Sequence, residues 1–198
     1  MELTFIRHFP TPGNLLRQYI GSTDESIDEY TAKTILENLT FTYPDAEFVV
    51  ISPMKRCIQT AKMIYPNLKY LLCPEFRECD FGKYECKTYE ELKDEKEYQK
   101  WIESAGAQPF PDGESREAFR KRCVEGMEMI IGHLIKEKFK NVSLIVHGGT
   151  IMSLLSAFDK EQRGFYEWQV ANGYGYQVTI NENLWESGEK YFQNIRKL

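Results

Sequence analysis

Three short apolar runs in this chain each stop abruptly at polar, reactive residues. Leu3–Ile6 ends at Arg7-His8, Glu47–Ile51 ends at Ser52-Pro53, and Val142–Val146 ends at His147-Gly148-Gly149. Runs this short and this apolar suit strands covered on both faces, the usual condition of a parallel sheet. Helical periodicity lies between them. Met54, Ile58, Ala61 and Ile64 share one helical face, and so do Phe119, Cys123, Met127, Ile130 and Leu134 within a long segment from Glu114 to about Lys138. Strand–helix alternation of this kind implies right-handed crossovers. The expected architecture is α/β, a three-layer sandwich with a mostly parallel central sheet and helices on both faces. One domain over residues 1–198 is expected, since no repeat, low-complexity stretch or linker interrupts the pattern.

Local signals set the expected element boundaries. Residues Pro10 to Asp24 read as a loop, and Ser26-Ile27-Asp28-Glu29 has the form of a capping box opening a helix to about Thr40. Pro53 suits the first position of the next helix, with Ser52 as its cap. A strand is expected near Lys69–Leu72, a second capping box at Thr88–Glu91, and a helix from Ile151 to Phe158. Further strands are expected around Tyr176–Ile180 and Tyr191–Ile195.

In open α/β sheets, ligands bind beyond the carboxyl ends of the strands. Two of the three histidines and two arginines (Arg7 and Arg56) collect there. Arginine forks match phosphate oxygens, glycine admits an anion close to the backbone, and a neutral imidazole is a competent nucleophile toward phosphorus. A net charge of -5 argues against a broad nucleic-acid face but not against a small anionic substrate. The five cysteines form no C-x-x-C pair, which suits free thiols in a reducing compartment. The first residues lack the apolar stretch of a signal peptide, and no run is long enough to cross a bilayer. A cytoplasmic protein with no membrane partner is therefore expected.

The residues also resemble a family. Arg7-His8-Phe9-Pro10-Thr11-Pro12-Gly13-Asn14 looks like the Arg-His-Gly-x-Thr-x-x-Asn signature of the histidine phosphatase (phosphoglycerate mutase-like) superfamily. Ser52-Pro53-x-x-Arg56-x-x-x-Thr60-Ala61, Phe76–Glu85, Pro111–Ser115 and Val146–Gly149 resemble its further motifs, in the same order. The resemblance implies a phosphomonoester hydrolase that works without metal or cofactor through a phosphohistidine on His8. It implies that Arg7, Arg56 and His147 bind the phosphoryl group, with Asn14, Gly21 and Gly148 contacting substrate. Glu78 would be the acid, needing a raised pKa, although Glu114 is a second carboxylate in a matching motif. The partner expected is a small phosphorylated substrate. The segment from Glu78 to Glu85, with Pro111–Ser115, most resembles α-ribazole phosphatase-like members, which makes α-ribazole 5'-phosphate a candidate substrate. A mutase and a catalytically silent phosphate-binding module are the alternatives. A homodimer is compatible with the chain, but no seam marks an interface.

Two positions depart from the family pattern. Phe9 stands where Gly is usual, so its ring could narrow the pocket or stack on a substrate. Cys86 stands in place of another Gly. His133 matches no motif and reads as a surface residue.

Overall fold

The computed structural model describes all of residues 1–198 except Ala105 and Ala107. The chain runs β1 (Glu2–Arg7), α1 (Pro12–Leu15), α2 (Glu29–Asn38), β2 (Phe48–Ile51), α3 (Lys55–Ile64) and β3 (Tyr70–Leu72). It continues through α4 (Tyr89–Leu92), α5 (Lys96–Glu103), α6 (Arg116–Lys136), β4 (Asn141–Val146) and α7 (Gly148–Phe158). The tail holds β5 (Gly175–Thr179), α8 (Glu182–Glu186) and β6 (Gln193–Lys197). The strands form one six-stranded sheet in the order β3-β2-β4-β1-β5-β6. Pairing is parallel from β3 to β1 and antiparallel at β5 and β6. β5 reaches this end after α7, and β6 returns beside it after α8.

Strand alternation divides the core between two faces. Leu3, Phe5, Val50, Val142, Leu144 and Val146 face the cluster that includes α6 and α7 residues. Ile6, Val49, Ile51 and Ile145 face Cys57 and Ala61 of α3. Helices therefore cover both sides. Ser143 is polar among these and fully sheltered, and it donates to the Tyr65 hydroxyl at 2.8 Å.

Helix starts differ from expectation where a distant group captures the local cap. Ser26 does not cap α2: the next amide, on Ile27, donates to Gln59 Oε1 at 2.9 Å, and Ile27 is buried, so the chain stays extended until Asp28. Asp28 is the cap and accepts from the Thr31 amide at 2.8 Å. Ser52 does not cap α3 either, because its hydroxyl lies 2.7 Å from His147 Nε2. The Lys55 amide is met instead by Asp24 Oδ1 at 2.8 Å, and the helix begins two residues after Pro53. The expected Pro10–Asp24 loop contains the one-turn helix α1, closed by a reciprocal Thr11–Asn14 capping box. The Thr88–Glu91 capping box forms as expected. The long helix begins at Arg116 with Ser115 as cap, since the Glu114 amide is held by the Asp80 carbonyl at 2.9 Å.

Candidate active site

Parallel register brings the two histidines together. Arg7 of β1 pairs with Val146 of β4, so the next residues, His8 and His147, leave adjacent strands at the same level. The His8 amide donates to the Val146 carbonyl at 2.9 Å, and the imidazole centroids are 5.1 Å apart. β2 flanks β4 on the other side, which delivers Ser52 to His147 and starts the turn into Arg56.

Hydrogen bonds assign the protons on both rings. His8 Nδ1 lies 2.6 Å from the Phe9 carbonyl, which can only accept. The proton is therefore on Nδ1, and Nε2 carries the free lone pair. Arg56 Nε donates to His147 Nδ1 at 3.3 Å, so the neutral ring's proton sits on Nε2 and points to Ser52. Burial, reinforced by Arg56 and then Arg7, holds the His8 pKa well below 6.5, against a smaller opposing pull from the Phe9 carbonyl. Burial, then Arg56 and His8, do the same for His147. Both imidazoles are neutral at neutral pH.

Both arginines lack an anionic partner among the described residues: neither has a carboxylate within ion-pair distance. Arg56 is fully buried, and Nη1 and Nη2 donate to the carbonyls of Thr23 at 2.8 Å and Gly21 at 2.7 Å. Arg7 spends Nη1 on the Val170 carbonyl at 2.8 Å, while its buried Nε has no partner among the described residues. A buried cation in that state favours an incoming anion strongly, because binding restores the solvation lost on folding. Gly148 adds the head of α7, where a side chain would press to 3.3 Å from the Arg7 guanidinium.

Gly21 is turned to a different task from the one expected. Its amide donates to the Glu85 carboxylate at 3.1 Å and its carbonyl holds Arg56, so it orients the arginine and does not donate to substrate. Glu85 also gathers the amides of Ser22, Thr23 and Phe81, and so sets the carbonyls that aim Arg56. Asn14 turns Oδ1 back to the Thr11 amide at 3.3 Å and toward Asn172, which leaves its amide donor to the cavity it lines.

Glu78 stands opposite, on an irregular segment after a 3-10 turn (Pro74–Phe76). Its Oε1 accepts from the Cys79 amide at 3.0 Å and its Oε2 from the Gly149 amide at 3.1 Å. Burial raises its pKa. The two amides, and then Arg56 and Arg7, pull the other way without cancelling the rise. Gly149 is required here, since a Cβ would overlap the Glu78 carboxylate. Glu114 is committed elsewhere: both its oxygens are taken by Arg122, at 2.8 and 2.8 Å.

Phe9 neither narrows the pocket nor stacks within it. The ring is fully buried in a cluster with Ile27 and Ala32, beneath α2. Gly173, at φ +81°, makes room for it. The Phe9 amide still serves the site, donating to Thr60 Oγ1 at 2.9 Å. Cys86 occupies a left-handed conformation, φ +62°, which explains why glycine is usual there. His133 is exposed on α6. The five cysteines are unpaired, and burial keeps Cys57, Cys73, Cys79 and Cys123 protonated as thiols.

Arg7, Asn14, Glu78 and Gly148 line one cavity of about 640 Å³. Its other walls include Tyr19, Phe81, Trp101, Phe110, Phe119 and Tyr166, so a polar end meets an aromatic chamber. Asn172, absent from every motif, secures the His8 carbonyl through Nδ2 at 2.9 Å. It sits in the turn before β5, and no motif singled it out.

A parallel sheet delivering two neutral histidines and two uncompensated arginines to one edge defines a phosphate-handling α/β protein of the kind the motifs suggested. The family model of the histidine phosphatase superfamily (branch 1) matches residues 3–190, and the chain belongs to that superfamily. A search of curated proteins found no match. Among solved structures, the fold is similar to a protein of Escherichia coli K-12 provisionally named an alpha-ribazole-5'-P phosphatase. That match has TM-score 0.78 and 22% identity, and covers 100% of this chain and 95% of that one. It is similar also to the alpha-ribazole phosphatase of Shigella flexneri, at TM-score 0.76 and 22% identity over 100% and 96% of the two chains. The protein TTHB049 of Thermus thermophilus follows at 0.67 and 22%, over 100% and 99%. At these identities the likeness concerns the fold.

Proposed function

We propose that this protein hydrolyses a small phosphate monoester through a phosphohistidine on His8. The observation that carries the proposal is the neutral His8 ring, its Nδ1 proton tied to a carbonyl, beside two buried arginines with no carboxylate partner among the described residues. In the first step His8 Nε2 attacks phosphorus while Arg7 and Arg56 hold the equatorial oxygens, and His147 joins them by turning its Nε2–H from Ser52 to the phosphoryl group. The bond to the leaving oxygen breaks, and Glu78 gives that oxygen its proton. In the second step Glu78 takes a proton from water, the water oxygen bonds to phosphorus, and the phosphorus–nitrogen bond breaks. A carboxyl whose pKa is raised by burial suits both roles.

The aromatic chamber favours a leaving group that carries a flat apolar ring. Its size and lining support α-ribazole 5'-phosphate, the ester named for the structural neighbours, as the first substrate to try. The experiment is p-nitrophenyl phosphate hydrolysis with EDTA present, followed by α-ribazole 5'-phosphate and phosphoglycerate. Wild-type turnover, its loss in His8→Ala, and an acid-labile phosphoenzyme in wild type alone are expected. The expected fall in kcat is about 10⁴-fold or more. Transfer between phosphoglycerate positions without release of phosphate would make the protein a mutase. Phosphate binding without turnover of any ester would make it a binding module.

A further inference from the structure

Arg122, in the second turn of α6, belongs to none of the motifs above and has every N–H committed. Nε and Nη2 fork onto Glu114 at 2.8 and 2.8 Å. Nη1 donates to the carbonyls of Glu75 and Arg77, each at 2.7 Å, and Nη2 to that of Glu78 at 3.0 Å. A guanidinium has five N–H donors, so none remains for substrate. Three of its acceptors are main-chain carbonyls of the segment that ends in Glu78. That segment has little regular structure of its own, and its carbonyls would otherwise be free to rotate.

The other partner completes the brace. Glu114 is itself held, since its amide donates to the Asp80 carbonyl at 2.9 Å. The Arg122 guanidinium also lies over the Phe119 ring at 4.8 Å. That ring comes within 3.1 Å of where a Cβ on Gly149 would stand, beside the amide that holds the Glu78 carboxylate. Arg122 thus holds the Glu78 backbone directly and packs on the ring that borders Gly149, whose amide holds the carboxylate. The Arg122 and Glu114 side chains are 21% and 18% exposed, enough shelter for the fork to resist salt screening.

We propose that Arg122, oriented by Glu114, is a positioning residue that sets where Glu78 delivers its proton. The proposal rests on Glu78 being the general acid. Positioning matters most where the proton is needed most. An alkoxide is a poor leaving group and requires the acid, whereas p-nitrophenolate departs without it. A purely structural brace would make no such distinction.

The experiment measures kcat/KM for ribose 5-phosphate, a simple alkyl ester, and for p-nitrophenyl phosphate. This ratio reports steps only as far as phosphoryl transfer to His8 and excludes hydrolysis of the intermediate. Glu78→Gln is the reference; Arg122→Lys and Glu114→Gln are the tests. Glu78→Gln is expected to lower the alkyl ester by about 100-fold more than the aryl ester. Arg122→Lys, which can satisfy only part of the set, is expected to show the same preference at about tenfold, and Glu114→Gln a smaller one. Equal losses on both esters in Arg122→Lys, while Glu78→Gln keeps its preference, would overturn the positioning role and leave the acid standing. Equal losses in Glu78→Gln itself would remove the acid and the proposal with it. If Arg122→Lys does not fold, Glu114→Gln decides the matter by the same comparison.

Discussion

The two sides of the site are built in different ways. The phosphate side stands on strand termini: His8, Ser52 and His147 follow three parallel strands whose ladder fixes their heights. The Glu78 side has no ladder beneath it: Arg122, gripped by Glu114, holds its backbone, and the amides of Cys79 and Gly149 hold its carboxylate. A sheet positions groups through many shared backbone bonds, so single changes are absorbed. A loop held by a few charged forks concentrates its geometry in those forks.

That contrast can be broken from several directions, and Phe9 offers the largest effect. Phe9→Ala should empty a buried site under α2 and destabilise the protein by about 3–5 kcal/mol. Below the melting transition, KM for p-nitrophenyl phosphate should stay near wild type, because the ring is in the core and not in the cavity. Denaturant unfolding and steady-state kinetics check the pair of outcomes, and a large change in KM would return Phe9 to the pocket.

Gly149→Ala attacks the other side. The new methyl would displace the Glu78 carboxylate by about an ångström, and kcat/KM on an alkyl phosphate should fall on the order of 100-fold. Circular dichroism and the melting temperature would show the fold retained.

Protonation separates the two sides more gently. The folded-state pKa values of His8 and His147 are depressed below 6.5, so as pH falls the unfolded chain takes up these protons first. Their contribution to stability is complete above about pH 6.5 and should be lost below it, at roughly 1.4 kcal/mol per group per pH unit. Glu78 has the opposite sign: its raised pKa favours the folded state in acid, and that contribution disappears as pH rises through the folded value. Urea melts from pH 7 to 5 on His8→Asn should show a shallower decline than wild type. For catalysis, kcat/KM should fall as pH rises past the Glu78 midpoint, above its ordinary 4.5, and Glu78→Gln should remove that limb.

The smallest effect is expected at Cys86. Glycine relieves its left-handed backbone but costs entropy in the unfolded chain, so Cys86→Gly should stabilise by about 0.5 kcal/mol. Calorimetry should register a rise of about 1–2 °C in Tm.

The legible parts of this molecule were those governed by neighbours along the chain. Apolar alternation and helical spacing act over a few residues, so the strands ending at His8 and His147, the α3 face and the Thr88–Glu91 cap could be read directly. The motifs located Arg7, Arg56, Asn14 and Glu78 for the same reason. The misread cap and the choice left open between two carboxylates lie where long-range partners compete. Ser52 looks like a helix cap, but His147, 95 residues away, holds its hydroxyl. Glu114 looks like a second acid, but Arg122 occupies both its oxygens.

What the sequence determined by itself was the order of strands and helices and which reactive residues follow each strand, because propensity and periodicity are local. Tertiary structure alone decided which imidazole nitrogen carries the proton, that Gly21 aims an arginine, and that Phe9 turns into the core. Each of these depends on a hydrogen bond or a packing space supplied by a distant segment, such as the Asn172 donor that meets the His8 carbonyl from 164 residues away. No local pattern encodes such a partner; it exists only once the sheet has set its register.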